Sequence, residues 1–115
     1  MKDGKGIELW PNGDSYEGEY RRDKMNGSGT LTTKSAKYVG TFSDGYKDGL
    51  GIMTFKDSSR YEGTFKKNRF HGRGAYAWAD GKKYEGDWLN GEKNGQGITM
   101  LPNGEKHDGL YVANR

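Results

Sequence analysis

Tyr16, Tyr38, Tyr61, Tyr84 and His107 follow one another at steps of 22, 23, 23 and 23 residues. Each is followed two residues on by glycine (Gly18, Gly40, Gly63, Gly86, Gly109), and two further on by an aromatic (Tyr20, Phe42, Phe65, Trp88, Tyr111). A fixed period of this length restricts the chain to a repeat array, in which each unit buries its apolar face against its neighbours. A second signature runs in phase: Gly4-x-Gly6, Gly27-x-Gly29, Gly49-x-Gly51, Gly72-x-Gly74 and Gly95-x-Gly97. Four residues after its second glycine stands Trp10, Thr33, Phe55, Trp78 or Leu101. The units read as 16–37, 38–60, 61–83 and 84–106, with half units at 4–15 and 107–115, in a single domain over 1–115.

Side chains at i, i+2 and i+4 share one face of a strand, so Tyr-x-Gly-x-aromatic describes a strand with its rings on one side. A helix carrying these glycines would lose about 1 kcal/mol at each relative to alanine. Eight Asn-Gly or Asp-Gly pairs separate the segments: Asn12-Gly13, Asn26-Gly27, Asp44-Gly45, Asp48-Gly49, Asp80-Gly81, Asn90-Gly91, Asn94-Gly95 and Asn103-Gly104. Such pairs are hairpin-turn signals. The expectation is an all-β fold: an elongated, single-layer, twisted antiparallel sheet of stacked hairpins with about ten short strands. At about 4.8 Å per strand it would extend roughly 45 Å. Gly18, Gly40, Gly63 and Gly86 are expected to leave room for rings lying flat on the backbone. Gly27, Gly49, Gly72 and Gly95 are expected at positive-φ turn positions.

Hydrophobic residues are 30% of the chain and mean hydropathy is −1.13, values that by themselves lean towards disorder. The net charge of only +3 opposes that, as do three Trp, eight Tyr and four Phe, most of them in phase. The composition therefore suits a thin folded structure. With no cysteine there is no disulfide framework and no thiol metal site. No signal peptide and no apolar run of about 18 residues is visible, and the expected location is intracellular: cytoplasmic, cytoskeletal or membrane-associated.

The residues hold little reactive chemistry. Gly-x-Gly recurs without the third glycine and following helix of a dinucleotide fingerprint. His71 sits before Gly72, and His107 fills a tyrosine slot as an expected stacking ring; two such histidines do not make a metal site. Glu17, Glu62, Glu85 and Asp108 form one repeat column, with Lys37, Arg60, Lys83 and Lys106 two residues earlier on the same face. Each acid thus has a basic neighbour or repeat counterpart, a solvated ladder worth ~0–1 kcal/mol per pair and unlike a catalytic carboxylate in an apolar pocket. No catalytic residue, metal or cofactor is expected, and the chain reads as no enzyme.

Tyr61-Glu62-Gly63-Thr64-Phe65 with Asn68 and Gly72-Arg73-Gly74 resembles the MORN repeat (membrane occupation and recognition nexus). So does Tyr84-Glu85-Gly86-Asp87-Trp88 with Asn90-Gly91 and Asn94-Gly95-Gln96-Gly97. Five adjacent copies cover nearly the whole chain. The resemblance implies a single-layer sheet of stacked hairpins and a non-catalytic scaffold that binds phospholipids or helical proteins. Departures are His107 for Tyr, Thr33 for an apolar residue, a start in the second half of a unit and an end within Val112–Arg115.

On this basis a protein segment, helical or extended, is expected along an aromatic groove, with Tyr16, Tyr20, Tyr38, Phe42, Tyr61, Phe65, Tyr84 and Trp88 as its groove and core residues. Met25, Tyr46 and Phe70 are expected as exposed contacts. The alternative is an anionic phospholipid membrane met by the basic turns Arg21, Arg22, Lys24, Lys66, Lys67 and Arg69. Self-assembly into dimers or filaments through sheet edges is a further alternative, with Lys2, Lys5, Lys106 and Arg115 as edge-blunting charges. Nucleic acid is not expected as a partner, because acids interleave with every basic stretch. Apolar residues on the opposite face are Ile7, Leu9, Ile52, Ala75, Ala77, Ile98 and Met100.

Overall fold

The computed structural model describes residues 3–111. Ten strands are present among them: β1 (Gly4–Leu9), β2 (Ser15–Arg21), β3 (Lys24–Thr32), β4 (Ala36–Ser43), β5 (Tyr46–Phe55), β6 (Arg60–Lys66), β7 (Arg69–Ala77), β8 (Lys83–Leu89), β9 (Glu92–Met100) and β10 (Lys106–Tyr111). They form one open antiparallel sheet in strict sequence order. Its extents are 50 × 24 × 17 Å, close to the length expected from strand number. All the extensive contacts run between strands adjacent in sequence, so among the described residues the sheet stays open from β1 to β10.

Glycines line up across the whole sheet. Gly6, Gly18, Gly29, Gly40, Gly51, Gly63, Gly74, Gly86, Gly97 and Gly109 are successive register partners. A Cβ on Gly18 would sit 2.5 Å from the Cα of Gly29 and 2.7 Å from the hydroxyl of Tyr16. The residue directly beneath each ring is the second glycine of the Gly-x-Gly pair: Gly29 under Tyr16, Gly51 under Tyr38, Gly74 under Tyr61 and Gly97 under Tyr84. The flat-ring role therefore extends beyond Gly18, Gly40, Gly63 and Gly86 to these partners.

Turn chemistry departs from expectation at one recurring point. Asn26-Gly27, Asp48-Gly49 and Asn94-Gly95 lie inside strands, not between them. Gly27, Gly49, Gly72 and Gly95 do have positive φ (84°, 94°, 78° and 99°), but they form β-bulges opposite the register shifts after Gly18, Gly40, Gly63 and Gly86. A polar side chain from the neighbouring strand fills each bulge. Glu19 accepts from the N–H of Ser28 at 2.6 Å, and Asp87 from that of Gln96 at 3.1 Å. The hydroxyls of Thr41 and Thr64 donate to the carbonyls of Asp48 and His71. Meanwhile two of the tight turns, Arg22-Asp23 and Lys67-Asn68, carry no Asn-Gly or Asp-Gly signature.

Candidate functional site: the aromatic face

The eight rings expected as both groove and core residues form the core. Tyr16, Tyr20, Tyr38, Phe42, Tyr61, Phe65, Tyr84 and Trp88 are only 0–7% exposed. They interlock edge to face, and Tyr16, Tyr38 and Tyr61 each meet an aromatic of their own unit and one of the next. Tyr16 meets Tyr20 and Phe42 at 5.1 and 5.3 Å, Tyr38 meets Phe42 and Phe65 at 5.0 and 4.9 Å, and Tyr61 meets Phe65 and Trp88 at 5.0 and 5.5 Å. Such pairs contribute about 0.5–1.5 kcal/mol each beyond area burial. A one-layer sheet has no second layer to bury, so the rings cover each other and the glycine backbone.

Each phenol is satisfied within its own bulge. The hydroxyls of Tyr16, Tyr38, Tyr61 and Tyr84 donate to the carbonyls of Glu19, Thr41, Thr64 and Asp87 at 2.7–2.9 Å. Burial pushes the Tyr38 phenol up to about 12 and raises Tyr16 and Tyr61 as well. Tyr20 is pushed up to about 12, by burial first and then by its hydrogen bond to Glu8.

The accessible part of this face is a second layer of side chains. Trp10, Met25, Leu31, Met53, Phe70, Tyr76 and Trp78 are half-buried against the core, with Phe55 among them. Of the three expected exposed contacts, only Tyr46 is exposed. Phe70 stacks on Tyr61 at 3.9 Å, and Met25 packs on the core, because the second residue of β3, β5, β7 and β9 points onto the rings. In the other units that column holds Lys47 and Lys93, which lie over Tyr38 at 5.8 Å and Tyr84 at 5.4 Å. Lys93 also lies 5.5 Å from the Trp78 ring, and Lys82 lies 4.4 Å from it. Burial lowers the pKa of Lys47 and of Lys93, the latter also through Lys82. At the β1 end a depression of about 500 Å³ is lined by Trp10, Pro11, Asn12, Asp14, Leu31 and Thr33.

This layer had a signal. Leu31, Met53 and Tyr76 stand two residues after the second glycine, and Trp10, Phe55 and Trp78 four after it. Their parity with the glycine puts them on the tyrosine side.

The basic residues Arg21, Arg22, Lys24, Lys66, Lys67 and Arg69 are all exposed. They form two clusters on one long edge, four strand spacings or about 19 Å apart, with the Asp44-Gly45 turn between them. His107 is exposed and lies 3.9 Å from Glu105, outside the core its slot suggested. On the opposite face Ile7, Leu9 and Ile98 are exposed, while Ile52, Ala75, Ala77 and Met100 are half-buried. One rung of the charge ladder, Arg60–Glu62, closes at 3.1 Å between exposed groups. Lys2 and Arg115 lie outside the described residues. Among the described residues no three His, Asp or Glu come together as a metal site, and no helix is long and apolar enough to cross a membrane.

The MORN repeat family model matches residues 1–15, 16–35, 38–60, 61–83 and 84–106. The chain belongs to the MORN repeat family. The matches at 38–60, 61–83 and 84–106 have the bounds of the sequence repeats, while the first begins at residue 1 and the second ends at residue 35. No curated protein matches the chain.

Proposed function

We propose that this MORN array is a non-catalytic scaffold holding a protein segment, helical or extended, along its aromatic face, inside the cell. One observation supports this above the others. Trp10, Leu31, Met53, Phe55, Tyr76 and Trp78 form a half-exposed apolar line on a sheet face that no other described strand covers. Apolar stripes of this kind are docking surfaces for extended or helical segments. The eight core rings then act as the rigid floor and the second-layer residues as the contacts.

The test is capture of a partner by the native chain, by Tyr76→Ala/Trp78→Ala and by Lys66→Glu/Lys67→Glu, each verified as β by circular dichroism. Loss of an aromatic anchor of about 2 kcal/mol weakens capture about thirtyfold, while the charge reversal leaves it unchanged. The opposite pattern would move the site to the basic edge.

A second reading, peripheral binding to anionic membranes, draws on the two exposed basic clusters along one edge. Flotation with anionic vesicles that weakens steeply with salt would support it.

A further inference from the structure

Every adjacent pair in this sheet joins a Tyr-x-Gly strand, with His107 standing for Tyr in β10, to a Gly-x-Gly strand. The two sides of a strand are not equivalent. On one side the register is regular, as in β1–β2, β3–β4 and β9–β10. On the other it shifts around a bulge, as in β2–β3 and β8–β9. β1 and β10 are both paired on their regular sides, so the sides that meet no other described strand are the bulged ones.

Both edges are shaped for that pairing. Gly4 has the φ of a bulge glycine, 83° against 84°, 94°, 78° and 99° at Gly27, Gly49, Gly72 and Gly95. A Cβ at those four would run into Glu19, Thr41, Thr64 or Asp87 of the preceding strand, whereas at Gly4 it meets nothing within 4 Å. Gly29, Gly51, Gly74 and Gly97 each lie under a tyrosine of the preceding strand; a Cβ on Gly6 has as its nearest neighbours only ring carbons of Tyr20, on the strand that follows, at 3.2 and 3.3 Å. Ile7, Leu9 and Leu110, at 71%, 77% and 70% exposed, are among the barest apolar side chains of the molecule, and all three stand on these edge strands. An edge with unpaired backbone groups and exposed apolar side chains is a template for another strand.

We infer that β10 of one copy pairs with β1 of a second copy, head to tail, so that the two complete one repeat unit. In the register of β8–β9, Lys106 faces Leu9, His107 faces Glu8, Asp108 faces Ile7 and Gly109 faces Gly6, while Leu110 comes over Gly4 beside Lys5. Lys5 and Lys106, the charges expected to blunt these edges, thus meet apolar side chains and not each other. Glu8 keeps its bond from Tyr20, and His107 stays beside Glu105. Pairing β1 with β1, or β10 with β10, would break the alternation of strand types. The two joining surfaces differ and lie at opposite ends of the sheet, so the contact does not close and builds a filament one sheet wide. Its axial repeat is ten strands, about 48 Å at about 4.8 Å per strand. The aromatic face of every copy is left open.

Sedimentation velocity of the full chain should show a weight-average coefficient that climbs with concentration past the dimer. Ile7→Asp sets a carboxylate against Asp108 of the next copy, and Leu110→Lys sets an ammonium beside its Lys5. Either variant alone, with an unchanged circular-dichroism spectrum, should be monomeric. Mixed, they should form 1:1 dimers, since each supplies the edge that the other lacks. A native chain that stays monomeric at every concentration overturns the junction. So does native assembly that stops at dimers, or either variant dimerising by itself, because like edges would then be pairing. Two folded variants that do not combine overturn it as well.

Discussion

Gly74 and Tyr61 occupy neighbouring space with nothing to spare. A Cβ on Gly74 would overlap the hydroxyl, Cζ and Cε1 of the Tyr61 ring, which is itself fully buried and pinned by its hydrogen bond to the Thr64 carbonyl. The ring cannot retreat without giving up that bond and its contact with Phe65. Gly74→Ala is therefore expected to destabilise the fold by about 2–4 kcal/mol, an overpacking cost at the upper end. Gly13→Ala is the comparison: nothing lies within 4 Å of its would-be methyl, and only its φ of 97° opposes the change. That strain costs about 1 kcal/mol. Urea midpoints rank the two, and equal losses would mean that the rings are not seated on the glycine line.

At the level of the hairpin, two kinds of turn alternate along the array. One long edge carries the tight turns at Arg22-Asp23, Asp44-Gly45, Lys67-Asn68 and Asn90-Gly91. They interlock with the preceding unit: Gly45, Asn68 and Gly91 donate to the carbonyls of Met25, Lys47 and Phe70, each at 2.9 Å. The other edge carries wider turns, in which Gly13, Ser58, Gly81 and Gly104 donate to the carbonyls of Trp10, Phe55, Trp78 and Leu101. Ser58 stands where the other three have glycine, with φ at 77°. Ser58→Gly relieves that strain, offset by the added freedom of glycine in the unfolded chain, and should stabilise by about 0.5–1 kcal/mol. A higher urea midpoint at unchanged slope is the expected result, and a lower one would show that the Ser58 side chain holds the turn in a way its backbone does not reveal.

Across the whole molecule the tyrosine column makes stability a function of alkaline pH. The folded phenols hold their protons more tightly than the unfolded ones, whose pKa is 10.0; Tyr20 and Tyr38 are pushed up to about 12, and Tyr16 and Tyr61 are also raised. A raised folded pKa contributes stability that is complete below pH 10 and lost as pH rises through about 12. For Tyr38 alone the loss is on the order of 2 kcal/mol. Urea midpoints should be flat below pH 10 and fall steeply above it, and Tyr38→Phe should shallow the fall. A flat profile to pH 12 would mean that the phenols titrate without leaving the core. Because neighbouring units share the rings, the loss is felt along the array and not in one hairpin.

Period and parity were enough to read ten strands, their order and the face that carries the rings, because a 23-residue repeat of two short strands has only one local way to pair. They were also enough to name the core residues, since Tyr16, Tyr38, Tyr61 and Tyr84 recur in phase with glycines. Which surface remains open was settled only in three dimensions. Phe42 lies against Tyr16 of the preceding unit, and Trp88 against Tyr61, so rings that seem available within one unit are covered by the next. Asn26-Gly27 and Asp48-Gly49 look like turns locally but become bulges because the adjacent Glu19 or Thr41 fills them. Sequence spacing carries each unit's own geometry; the contacts between units, which decide burial and hence the usable face, exist only once the hairpins are stacked.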